Sequence, residues 1–229
     1  MEPKDGMDHV RGADVLTADW ITLVLLLVFA ALAYTNMSSP RKWKLLGQAI
    51  FQMRLGRQTL REEIDLQDRT FLGLLLVAVG VLSLFLWQAA HLLDPGGQAN
   101  FLRVMGAVGL LLLAQSVVLR LVAMLAATDN GINEYRSTGL VLFILTGLVL
   151  LPLVVLISYY APWRHALLPA GFLVLSALLL YRWVRGAWVG SGEGVPLRYI
   201  ILYFCAAEIV PLLLLVHALR DPLTVASNP

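Results

Sequence analysis

Residues 196–219 read PLRYIILYFCAAEIVPLLLLVHAL, an apolar run with one carboxylate, Glu208, near its centre. The run is long enough to cross a bilayer as a helix. An ionised carboxylate at bilayer depth costs several kcal/mol, on the order of the penalty for any unpaired buried charge. The rest of the chain must therefore bring Glu208 a partner, a proton or water. Cys205 lies one turn before it and Pro211 three residues after it.

Working outward, the whole chain has the composition of a membrane protein. Of its 229 residues 59% are hydrophobic and only 14% charged, and mean hydropathy is +0.77. Soluble domains carry about 25% charge. The expected fold is all-α, a polytopic transmembrane helical bundle of about six spans with one amphipathic cytoplasmic surface helix. The spans are expected at about 20–35, 70–90, 101–127, 139–160, 166–188 and 197–219. An acidic segment, 1–19, precedes them and a short tail, 220–229, follows. Net charge is +2 and uninformative as a total. The single Cys205 excludes an intrachain disulfide.

The polar start, with Asp5, Asp8, Asp14 and Asp19, lacks the positive region of a signal peptide, so the first helix is read as retained. In 40–64 a cap, Ser38-Ser39-Pro40, precedes apolar residues at 3–4 residue spacing: Trp43, Leu46, Ile50, Met53, Leu60 and Ile64. Arg41, Lys42, Lys44, Arg54 and Arg61 fall largely off that stripe. This pattern predicts a basic amphipathic helix lying on an anionic membrane face or against the bundle. With almost no aromatic residues to stack bases, it does not read as a nucleic-acid site.

The second span carries Gly73 and Gly80 one heptad apart, a candidate packing face. In the third, Gly106, Gly109, Leu113, Ser116, Arg120, Ala123 and Ala127 share a stripe of mainly small residues. That stripe is expected to pack against neighbouring helices and to turn Arg120 toward protein or a wet cavity. Asp129-Asn130-Gly131 and Asn133–136 read as a polar turn. Pro152 is expected to kink the fourth span. Arg182 and Arg185 mark the end of the fifth, and Gly190-Ser191-Gly192-Glu193-Gly194 reads as a flexible turn.

With six spans, twelve of the seventeen basic residues fall on the side of the 40–64 segment and five on the other. The positive-inside rule then puts both termini outside the cytoplasm. No HExxH, GxSxG, Walker-type loop or CxxC is present. His91, His165 and His217 fall near the outer boundary without ligand spacing on one helix, so no metal or cofactor is expected. The candidate functional or structural intramembrane residues are Glu208, Arg120, Cys205, Pro211, Arg182 and Arg185. Glu208 is expected to be charged and paired with Arg120, or with Arg182 if the helix order favours it.

Tyr181-Arg182-Trp183-Val184-Arg185-Gly186, followed by Cys205-Ala206-Ala207-Glu208-Ile209-Val210-Pro211, resembles the C-terminal signature of the domain-of-unknown-function family 4271, found chiefly in Bacteroidetes and relatives. Leu60-Arg61-Glu62-Glu63 and Asn133-Glu134-Tyr135-Arg136 resemble it more loosely. The resemblance implies a small integral protein of the bacterial inner membrane and supplies no catalytic residue. Two function classes stay open. One is an assembly, scaffold or accessory subunit whose partners are the lipid bilayer and other membrane proteins. The other is a small transporter or proton-coupled device using Glu208, with Pro211 and Pro152 as helix breaks. An enzyme comes third, and no substrate is legible.

Overall fold

The computed structural model describes residues 16, 18–38, 69–93, 100–126 and 129–192. Five α-helices account for nearly all of them: α1 (Asp19–Ser38), α2 (Arg69–Leu93), α3 (Phe101–Ala126), α4 (Asp129–Tyr159) and α5 (Arg164–Gly192). A 3-10 turn, Ala161–Trp163, joins the last two. All five are long and apolar enough to cross a bilayer, where a helix satisfies every backbone group within its own segment. The surface helix expected at 40–64 and the sixth span at 197–219 lie outside the described residues.

Helices α2 and α4 form the centre. Phe71, Leu74 and Ala78 of α2 meet Val141 and Ile144 of α4 toward one end. Toward the other, Val81, Leu84 and Phe85 meet Leu150, Val154 and Ile157. The α1 residues Ile21, Leu25 and Val28 join the second cluster, as do Val104 of α3 and Leu168 of α5. Lipid tails are as apolar as these side chains, so close van der Waals packing has to hold the helices together. Gly147 supplies it: a Cβ added there would stand 2.6 Å from the Ala78 Cα and 2.7 Å from its Cβ. Gly171 of α5 also packs closely, since an added Cβ would overlap the edge of the Phe85 ring.

Gly73 and Gly80 do pack against a neighbour, α1, where Thr35 and Val28 lie 3.5 and 4.0 Å from the added Cβ positions. The α3 stripe behaves otherwise. Gly106 and Gly109 have nothing within 4 Å of an added Cβ, and Leu113 is 67% exposed. At about 100° per residue, the buried positions Val104, Val108 and Gln115 lie on the opposite face. At Gly106, Gly109 and Leu113 the expected packing of the small-residue stripe against a described helix is not met, while the side chains of Arg120 and Ala123 lie outside the described residues. Small residues permit close approach without compelling it.

Two turns expected from the sequence are helical. Residues 129–136 form the first two turns of α4, and Gly190, Ser191 and Gly192 extend α5. Pro152 sits inside α4, which is helical on both sides of it. Asn100 caps α3, its Oδ1 accepting from the Leu102 N–H at 3.0 Å.

Candidate functional site

Three of the buried polar side chains, Gln88, Ser158 and Arg164, meet where α2, α4 and α5 come together. Helix α4 ends at Tyr159, the chain reverses through the Pro162-containing turn, and Arg164 opens α5. A tight reversal leaves the last carbonyls of α4 without helical donors. Arg164, only 7% exposed, folds back over them. Its Nε donates to the Ile157 carbonyl at 2.7 Å and its Nη2 to the Ser158 carbonyl at 3.1 Å. A cation there also complements the negative end of the helix dipole.

Gln88, fully buried on α2, reaches the same turn. Its Nε2 donates to Ser158 Oγ at 2.8 Å and more weakly to the Val154 carbonyl at 3.4 Å. Ser158 Oγ in turn donates to the Val154 carbonyl at 3.0 Å. Gln88 Oε1 is buried with no hydrogen-bond partner. Other interior hydroxyls bond within their own helices: Thr35 to the Leu32 carbonyl, Ser83 to Val79 and Thr146 to Leu142. Such bonds satisfy a hydroxyl locally.

Several aromatic side chains near the helix ends flanking this node contact one another. Trp20 contacts Trp87 edge-on at 4.8 Å between centroids and Phe101 at 5.2 Å. Trp87 contacts the His91 ring at 4.5 Å. The hydroxyls of Thr22 and Tyr159 share a hydrogen bond of 2.8 Å. Trp and Tyr concentrate at the water boundary of membrane proteins because their rings are apolar and their edges polar. Among the described residues no three metal-ligating side chains converge.

Of the residues singled out in the sequence, Arg182 is described. It is half-buried on α5 with its guanidinium against Gly139 at the other end of the bundle, 3.4 Å from an added Cβ. Arg120 and Arg185 belong to α3 and α5, but their side chains lie outside the described residues, as do Cys205, Glu208 and Pro211 altogether. Gln88, Ser158 and Arg164 were not among the candidates. Gln88 had a signal, being an amide inside an apolar span.

Apolar helices long enough to span, a buried polar tie and aromatic side chains near the helix ends define a polytopic helical membrane protein. The chain belongs to the family described as Domain of unknown function (DUF4271), whose profile matches residues 21–219. No curated protein and no solved structure matches it.

Proposed function

We propose that this chain is a membrane-embedded assembly or accessory subunit, in which polar side chains hold helices together and its partners are other membrane proteins. One observation carries the reading: Gln88, Ser158 and Arg164 are all buried and bonded to one another's turn and backbone. Bonds of this kind tie α2 to the end of α4 and the start of α5, with Gln88 Oε1 the one atom of the node left without a partner. A transport site needs polar groups that reach water from one side. The transporter alternative rests on Glu208 and Pro211, and on Pro152, around which α4 stays helical.

Extraction from native membranes in a mild detergent, followed by sizing and mass analysis, tests the proposal. The expected result is a complex holding a second membrane protein in stoichiometric amount. Isolation of the chain alone, together with a proton flux in liposomes that is lost in Glu208→Gln, would overturn it.

A further inference from the structure

Helices α4 and α5 run antiparallel, and two contacts fix their register. Arg164 of α5 donates to the Ile157 carbonyl of α4, and the Arg182 guanidinium lies against Gly139. Eighteen residues separate the two contacts on each helix, so one register holds along the whole seam. Arg185 comes three residues after Arg182, and Arg136 three before Gly139. Both therefore stand one level further along, about 4.5 Å past the Gly139 contact at 1.5 Å per residue. At about 100° per residue, position 136 falls within about 60° of position 139 on α4, and position 185 within about 60° of position 182 on α5. Arginines 136, 182 and 185 thus share one end of the α4–α5 seam.

No carboxylate of the described helices lies on that end of the seam. Glu134 is two residues from Arg136, which puts it about 200° around α4, on the other side. Asp129 lies about 10 Å further along the helix. Cations gathered in this way repel one another unless an anion joins them.

The depth of the cluster identifies the anion. Tyr159, Tyr160 and Trp163 are exposed at the opposite end of the seam, where such rings mark a membrane boundary. Gly139 comes twenty residues before Tyr159, about 30 Å along the helix, which is the thickness of the hydrocarbon core. The arginines consequently stand at the headgroups of the other leaflet, with half-buried Tyr181 and Trp183 flanking Arg182. Only 11% of the 161–184 stretch is buried, so lipid reaches the α5 side of the bundle. Arginine suits phosphate because its planar fork donates to two oxygens at once. Basic pockets between transmembrane helices hold anionic headgroups by this chemistry.

We propose that Arg136 and Arg185, set around Arg182 at that end of the α4–α5 seam, bind the phosphate of an anionic phospholipid headgroup. The full chain, purified in detergent, is mixed with phosphatidylglycerol and phosphatidylcholine at equal mole fraction, and its bound lipids are counted by native mass spectrometry. The parent chain should retain phosphatidylglycerol in preference. Each arginine at a membrane surface contributes about fivefold to such binding, so Arg136→Gln with Arg185→Gln should cut the preference at least ~fivefold. Arg103→Gln, at an exposed position of the opposite end, should leave it unchanged. Equal retention of the two lipids by the parent overturns the proposal. So does an unchanged preference in the double variant, or an equal fall in Arg103→Gln. Displacement of the phosphatidylglycerol by inorganic phosphate would make this a site for a free anion and overturns it too. If the double variant folds poorly, the parent chain is placed in vesicles of brominated phosphatidylglycerol or brominated phosphatidylcholine. The first lipid should quench Trp183, whose emission is assigned by comparison with Trp183→Phe, more strongly than the second. Equal quenching overturns the proposal.

Discussion

Replacing Gly147 by alanine adds one methyl group where α2 and α4 cross. The new Cβ would stand 2.6 Å from the Ala78 Cα, 2.7 Å from its Cβ and 3.3 Å from its carbonyl oxygen. Carbon atoms rest at about 3.5–4.0 Å, so the two helices must part by roughly 1 Å. The obstacle is backbone, so no rotamer change relieves it. The overpacking should cost about 1–3 kcal/mol, against a helix-propensity gain of about 1 kcal/mol for losing a glycine. Separation also loosens the contacts of Val141, Ile144 and Leu150 on either side, which places the expected net loss near 2 kcal/mol. Gly106→Ala is the matched control, since nothing lies within 4 Å of its added Cβ. That variant should keep or raise stability by about 0.5–1 kcal/mol. The assay is reversible unfolding in mixed micelles, followed by circular dichroism. Equal stability of Gly147→Ala and the parent chain would refute the crossing described here.

Ser158→Ala removes the acceptor of Gln88 Nε2 and should cost about 1–3 kcal/mol in the same assay, because a buried amide is left poorly bonded. Adding Gln88→Leu should recover most of that loss. Arg164→Lys keeps the charge but has no fork to donate to the Ile157 and Ser158 carbonyls together; a loss of about 1 kcal/mol, with a larger one for Arg164→Ala, is expected in thermal half-life measurements. Glu208→Gln and Arg120→Gln should each lower folded yield in the membrane, since breaking a buried pair costs about 3–5 kcal/mol, and the double change should recover part of the loss. Recovery with Arg182→Gln instead would assign the partnership to α5.

The five described spans were legible because apolar runs of this length have few alternatives. Their ends were less so. Asn130-Gly131 and Gly190-Ser191-Gly192 carry turn chemistry, yet each adjoins a helix that already exists. Extending a helix costs far less than nucleating one, and each glycine adds only about 1 kcal/mol. Which face of α3 packs around Gly106 and Gly109 is not legible in the sequence, for a different reason. Both its faces are apolar, so periodicity cannot say which one is buried, and residue size at Gly106 and Gly109 was a poor substitute. Gly147 and Gly171, the two closest approaches, sit in runs whose sequence gives no sign of a partner. The Gln88–Ser158–Arg164 node escaped because Arg164 reads as an ordinary boundary charge. Only the reversal after Tyr159 turns it back over the end of α4.

We propose six crossings, with residues 197–219 as the sixth and the segment after α1 in the cytoplasm, as the positive-inside rule leads one to expect. Cysteines placed singly at Ser39 and Ser227, in a chain with Cys205→Ser, test this in intact cells with a membrane-impermeant maleimide. Labelling at 227 from outside, with 39 reached only after permeabilisation, is the result the account predicts. Equal external labelling at both positions would contradict it.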